Sequence, residues 1–385
     1  MLSIIDRKHR TYRLLRCGLL ISLLQAPYLL TGISALHAQD NDRSSATPNT
    51  NPSGAVGFNN AVDVPIDVQR ISSAAVQWLA KNQTADGNWS GGEDSHLPGS
   101  GNCAILGLAV MAFLSTGEDP NFGPYSKNIR LALRNIIGQQ NPSTGFLPNS
   151  MYNHGFGMLA LAEAYGVVDE QMLWEGVESS DQSRRRSLGQ SLRLAVQCAI
   201  TSQENNPWKA WRYGPESRDA DTSVTGAVLV GLLAARNAGI KVPDANIDDA
   251  LLYIREVTGK RGDVAYTSGF GFSTGSNMSA IACLTFSIAK RQEWSEYPAI
   301  AKFVKSNADA IDNIHPHYNL YYMSQALFQS DFEAWNRWNQ VIIRRLKREQ
   351  NSDGSFDSAY GKAYATSMSV LTLALNYRFL PIYER

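Results

Sequence analysis

Cysteine is scarce in this sequence, no charge sign prevails, and beyond the N-terminus no apolar run is long and unbroken. Four of the 385 residues are cysteine. Cys17 lies near the start, and Cys103, Cys198 and Cys283 sit inside apolar stretches where a small buried hydrophobe is expected. Three is an odd number, which excludes a fully paired disulfide framework, and no Cys-x-x-Cys spacing serves metal or redox chemistry. Lys plus Arg equals Asp plus Glu at 35 each, so no basic excess draws the chain to nucleic acid. After residue 38 each apolar segment is interrupted by Gly, Ser or Thr, and no integral membrane domain is expected there.

The N-terminus is different. Arg7, Lys8, Arg10, Arg13 and Arg16 form a basic stretch, Leu19 to Leu36 is mostly apolar, and Ala35 and Ala38 offer a small-residue exit, which describes an export signal over residues 1–38. An uncleaved membrane anchor is the rival reading, because the apolar stretch is about long enough to span a bilayer, but Gln25 and Pro27 interrupt it. Residues 39–66 are rich in Asn, Ser, Thr, Pro and Asp, too polar to fold, and read as a disordered linker. Removing the signal takes five Lys/Arg and one Asp, which turns 35 against 35 into 30 against 34, a net charge of 4 negative. The protein is therefore expected in the periplasm or secreted, as one folded domain over residues 67–385.

That domain is repetitive. A unit recurs about six times: an amphipathic helix, a Gly/aromatic turn, then a helix apolar on nearly every side. One copy reads Trp78, Leu79, Gln83, Gly87 and Trp89 and runs into Ile105 to Leu114; another reads Ile136, Ile137, Gln140, Gly145 and Phe146, then Phe156 to Tyr165. The last reads Leu346, Gln350, Gly354 and Phe356, then Thr366 to Leu375. Middle copies keep the rhythm with degraded turns at Gln203, Trp208 and Trp211 and at Gly262 and Tyr266, and the weakest, with helices from Ile300 to Val304 and from Leu320 to Phe328, lacks the Gln and Gly of the turn. Second helices begin near Asn102, His154, Thr222, Asn277, Asn319 and Ala365, a period of about 40 to 70 residues that suits helical-pair arrays.

The alternation specifies a packing. Ile129, Leu133, Ile136 and Ile137 form one stripe with Arg130 and Arg134 opposite, so that helix has a wet face. Val224 to Ala235 carries no charge and must be covered on all sides. Half-wetted and dry helices taking turns give an all-α fold, either an open solenoid or a closed α6/α6 toroid whose dry helices line an inner barrel; the ring is favoured, because closing it removes the need for polar caps. In the turns, Gly supplies a left-handed conformation, Gln satisfies orphan helix-end groups and Trp fills the gap between hairpins.

The turns at Gln83, Gly87 and Trp89 and at Gln350, Gly354 and Phe356, with the Asp219-Ala220-Asp221-Thr222 segment before a dry helix, resemble the squalene cyclase and prenyltransferase repeat superfamily over about residues 70 to 380. The resemblance implies a terpenoid cyclase-like barrel with a central apolar cavity for an isoprenoid-like ligand. Its triterpene cyclases have two barrels and an Asp-x-Asp-Asp-Thr acid segment; this chain has room for one barrel, and Thr222 stands where a third Asp belongs. The resemblance makes Asp221 the acid and Asp219 its partner, a pair in which two close carboxylates cannot both ionise. Trp211, Tyr213, Tyr266, Phe270, Phe272, Tyr321 and Tyr322 are then the candidate cavity wall, offering π faces to a cation. The competing reading is that Asp219 and Asp221 cap the following helix and the aromatics pack between hairpins.

No metal or cofactor is expected. Zinc-binding members of the superfamily use an Asp-x-Cys that is absent here, and His154, His315 and His317 lack a matching thiol. His315-Pro316-His317 reads as a solvated loop, and Asp244, Asp248 and Asp249 read as acids on the first turns of a helix rather than a diphosphate-metal site. Three functions remain open: an isoprenoid isomerase or cyclase, an exported non-catalytic scaffold or binding module, and a carbohydrate-active α/α toroid using Asp219, Asp221, Asp263 or Asp353. The partner is accordingly an apolar small molecule or another exported protein.

Overall fold

The structure, a computed structural model, describes residues 64–89, 103–176, 185–268, 275–310, 312 and 314–384. The chain divides into the units Met1–Gly57 and Phe58–Arg385, and every described residue belongs to the second. The expected export signal, most of the expected linker, and Phe270 and Phe272 lie outside the described residues.

The described residues are helical: α1 Ile66–Lys81, α2 Cys103–Ser115, α3 Ser126–Gln139, α4 Met151–Ala164, the short α5 Glu170–Leu173, α6 Leu188–Asn205, α7 Thr222–Asn237, α8 Asp244–Glu256, α9 Ser276–Ile288, α10 Tyr297–Ser306, α11 Pro316–Ser330, α12 Phe332–Glu349 and α13 Lys362–Leu373. Polar caps start several of them. Ser150 accepts from the Asn153 amide, Asp331 from Ala334, and Ser187 and Gln190 form a reciprocal capping box on α6.

The alternation of wet and dry helices is realised. Every residue of α2 is buried, whereas α12 buries Trp335, Trp338, Ile342, Ile343 and Leu346 and exposes Arg337, Arg344, Lys347 and Arg348. Helices α1, α3, α6, α8, α10 and α12 thus form an outer layer around α2, α4, α7, α9, α11 and α13.

One clamp joins neighbouring hairpins. Gln83 Nε2 donates to the Gly87 carbonyl of its own turn at 3.0 Å and to Asn128 O of α3 at 2.9 Å. Gln140 does the same to Gly145 O and Ser191 O of α6, and Gln203 to Lys209 O and Asn246 O of α8. The last member decides the topology: Gln350 Nε2 donates to Gly354 O at 2.9 Å and to Ile71 O of α1 at 2.9 Å. The final hairpin therefore grips the first, and the array is a closed ring. Glycine is required at the turns of Gly87, Gly145 and Gly354 because the outer helix of the next hairpin presses on them, whereas the Gln203 turn places Lys209 in the left-handed conformation. Gly354 has φ +91°, and a Cβ there would lie 2.4 Å from Ala74 O of α1.

Two seams lack the glutamine. Gly262, φ +85°, packs on the α10 backbone at Ala299. Between α10 and α12, Lys305 pairs with Asp331, and Trp338 Nε1 donates to Ala308 O. The degraded motif of the fourth and fifth units is thus replaced by other contacts.

A second device stitches four of the turns to their inner helices. The amides of Leu147, Trp211, Val264 and Phe356 donate to His154 Nδ1, Thr225 Oγ1, Ser279 Oγ and Thr366 Oγ1, all near the start of α4, α7, α9 and α13. Cys103, Cys198 and Cys283 are buried free thiols. No helix among the described residues is long and apolar enough to cross a membrane.

Candidate functional site

Five inner helices start around one cavity of about 490 Å³. Tyr152, Ser223, Asn277, Met278, Tyr318 and Tyr364 reach it from the first turns of α4, α7, α9, α11 and α13. The connecting loops add Tyr213, Tyr266, Gly275, Asp312, His315 and Tyr360. Six tyrosines therefore share one wall with a single carboxylate among the described residues, Asp312.

Most polar groups on that wall hold one another. Asn277 Nδ2 donates to Asp312 Oδ2 at 2.6 Å, Asn319 Nδ2 donates to Asn277 Oδ1 at 2.6 Å, and the Ile314 amide donates to Asp312 Oδ1 at 2.8 Å. Tyr360 Oη lies 2.9 Å from His315 Nδ1, and the Tyr213 and Tyr266 hydroxyls are 2.7 Å apart. Tyr318 is buried among the rings of Tyr152 and Tyr322. Burial pushes the Tyr152 and Tyr318 phenols well above their ordinary range, so both are neutral hydroxyls.

Asp221 stands behind the wall. It caps α7, accepting from the Val224 amide at 2.8 Å and from Ser223 Oγ at 2.7 Å, and Ser223 is what faces the cavity. Its second oxygen lies 3.6 Å from Arg212 Nε, which stands equally far from Asp219. Desolvation raises the Asp221 carboxyl above its usual range, opposed by the Val224 and Ser223 hydrogen bonds and by Arg212. Asp219 is 65% exposed, so the two carboxylates meet across Arg212 and not in a dry pair. The guanidinium in turn lies over the rings of Tyr213 and Tyr266, at 5.4 and 5.5 Å.

Of the aromatics expected on a cavity wall, Tyr213 and Tyr266 line it. Trp211 is buried and bonds Ala199 O of α6, while Tyr321 packs on Phe156, Tyr322 and Tyr383 deeper in the barrel. The His315-Pro316-His317 segment is not a solvated loop. It starts α11, with His315 on the cavity wall and His317 buried between Ser369 Oγ and Asp357 O, where burial lowers its pKa. Asp244 and Asp248 pair with Arg236 and Arg291 on the outer layer. Asp312, Asn277, His315, Tyr152, Tyr318, Tyr360 and Tyr364 were not expected at the site. Their only signal is position, because each falls at or just before the start of an inner helix.

Among the described residues no cluster of His, Cys, Asp and Glu is placed to hold a metal. No protein-family model and no curated protein matches the chain. Solved structures do resemble it. An inactive variant of the α-1,6-mannanase GH76A of Salegentibacter sp. HEL1_6, in complex with α-1,6-mannotriose, aligns over 80% of this chain and 99% of its own, with a TM-score of 0.56 and 9% identity. A protein from Actinoplanes aligns over 80% of this chain and 99% of its own, with a TM-score of 0.50 and 13% identity. The type II terpene cyclase MstE from Scytonema aligns over 82% and 99%, at 0.49 and 14%. At such identities the mannanase likeness speaks for the fold alone: the domain is an α/α toroid.

Proposed function

We propose that the chain is an exported ligand-binding module that uses the tyrosine-walled cavity at the N-terminal rim of its inner helices to hold a small ring-bearing molecule, without turning it over. The observation that carries this reading is the wall itself. Six tyrosines surround about 490 Å³, yet the only carboxylate among the described residues there is Asp312, already engaged by Asn277 and the Ile314 amide. Glycoside hydrolysis needs two facing carboxyl groups about 5 to 10 Å apart, and Asp219 and Asp221 are instead tied to Arg212. Aromatic faces bordered by phenol, amide and imidazole groups suit a saccharide, which stacks its C–H faces on rings.

Calorimetric titration tests this with α-1,6-mannotriose, the oligosaccharide bound by the mannanase of like fold, and with geranylgeraniol as the isoprenoid alternative. Saccharide binding that Tyr266→Ala weakens at least about tenfold, with no new reducing ends on long incubation, is the expected result. Release of reducing ends by the wild-type chain would sink the non-catalytic reading.

A second reading rests on Asp221, a buried carboxyl whose pKa burial raises against the opposing pull of Arg212. In it, Asp221 is an acid that protonates an isoprenoid alkene, with Tyr213 and Tyr266 facing the cation. Conversion of a polyprenyl substrate that disappears in Asp221→Asn would establish it. Export is tested separately: N-terminal sequencing of the mature chain is expected to begin at Gln39.

A further inference from the structure

At the barrel's other end the segment that follows α13 packs on α7 and α11. After α13 the backbone turns at Arg378, a non-glycine residue at φ +60°, and enters a 3₁₀ turn over Pro381–Tyr383 that packs on α7. Ile382 and Tyr383 are buried, the Tyr383 hydroxyl touches the Tyr321 hydroxyl of α11, and Gln329 Nε2 donates to Tyr383 O at 2.8 Å. Beside this turn lies Glu163, the penultimate residue of α4. It is buried, faces the Ile382 amide, and its Oε2 has no partner.

We infer that residues 379–384 form a releasable stopper for this end of the barrel, seated while Glu163 is protonated and loosened when Glu163 ionises. Among the described residues Glu163 has no cation to pair with. Tyr321 of α11 and Tyr383 of the tail are the titratable groups that feel its charge. Helix α2 carries no charged residue, Arg236 of α7 is paired with Asp244, and Arg193 and Glu204 of α6 are exposed. Arg130 and Arg134 of α3 are bonded to carbonyls elsewhere, and Arg378 of the tail lies over the rings of Phe328 and Phe332. Ionisation would therefore leave a bare carboxylate in a dry site against one backbone amide, and release of the turn admits water to it. The left-handed backbone at Arg378 stores strain at the point where the tail would swing.

Desolvation pushes the Glu163 carboxyl from 4.5 up to about 8 when the tail is seated. A raised acid in the seated state makes seating strongest below the released-state value, and each pH unit between the two weakens it about tenfold. Hydrogen exchange of the full chain at pH 5.5 and pH 8, corrected for intrinsic exchange rates, reads this directly. The Ile382–Glu384 amides are expected to lose about a hundredfold or more of their protection at the higher pH, while amides of α1 and α12 keep theirs. In Glu163→Gln the tail protection should not respond to pH. Tyr383→Phe serves if that variant does not fold: it should lower tail protection at both pH values with the wild-type pH response intact. Equal wild-type protection at the two pH values, a loss shared by α1 and α12, or a Tyr383→Phe variant without the pH response would each overturn the inference.

Discussion

Single residues at the turns carry stress that the rest of the ring depends on. Gly354 and Gly166 both have left-handed backbone, with φ +91° and +85°, but only Gly354 is pressed against a neighbour. Gly166→Ala meets nothing within 4 Å and should cost about 1 kcal/mol for its backbone alone. Gly354→Ala must add a Cβ 2.4 Å from Ala74 O, so strain and overpacking together should cost about 3 kcal/mol or more. Urea denaturation of the two variants separates the effects. His154 makes a different kind of demand. It is fully buried, accepts from the Leu147 amide through Nδ1, and lies 2.9 Å from Ala195 O through Nε2, so only the neutral ring fits. Burial lowers its pKa from 6.5 to about 4. A depressed histidine gives stability that is present above 6.5 and is lost as pH falls towards 4, on the order of 3 kcal/mol over that window. The midpoint temperature of the wild-type chain should drop across it, and His154→Gln, which keeps one acceptor and one donor, should flatten that drop.

Elements are joined by a device that was readable in part. The glutamine clamps announce themselves because Gln, Gly and an aromatic recur at fixed spacing, as at Gln83, Gly87 and Trp89. Gln350→Ala removes two hydrogen bonds, to Gly354 O and Ile71 O, and should cost about 2 kcal/mol, whereas Gln340→Ala on the exposed face of α12 should stay within about 0.5 kcal/mol. Thermal denaturation of both variants checks the contrast. The stitches from turn amides to inner helices were not readable, since His154, Thr225, Ser279 and Thr366 serve one acceptor role with three residue types. The same holds for the cavity. Its wall takes one or two residues from each loop, such as Asp312, His315 and Tyr360, whose meeting depends on ring closure and on no local spacing. Asp219 and Asp221 stood out because they are close in sequence. The fold gives Asp221 the α7 cap that was the competing reading and sets Arg212 between the two carboxylates.

At the scale of the whole molecule the decisive contacts join the ends of the fold. Lys347 of α12 pairs with Asp67 of α1 at 2.8 Å, Trp78 Nε1 donates to Asp353, and Gln350 holds Ile71 O. An open solenoid of hairpins is a sum of nearest-neighbour terms, and weakening its last unit would let that unit fray while the others stayed folded. A ring has no last unit. Opening the seam between α12 and α1 exposes two hairpin faces at once and leaves every remaining hairpin in a chain that needs caps it does not have. The combined variant Gln350→Ala, Gly354→Ala should therefore lower a single cooperative transition by several degrees, with far-ultraviolet dichroism and tryptophan fluorescence melting together. The tryptophans make the measurement sensitive to location, because Trp78, Trp335 and Trp338 lie on α1 and α12 while Trp211 lies across the ring between α6 and α7. If the fluorine resonances of incorporated fluorotryptophan showed Trp211 melting later than Trp78, Trp335 and Trp338, the hairpins would be uncoupled and the closed ring would not be the cooperative unit.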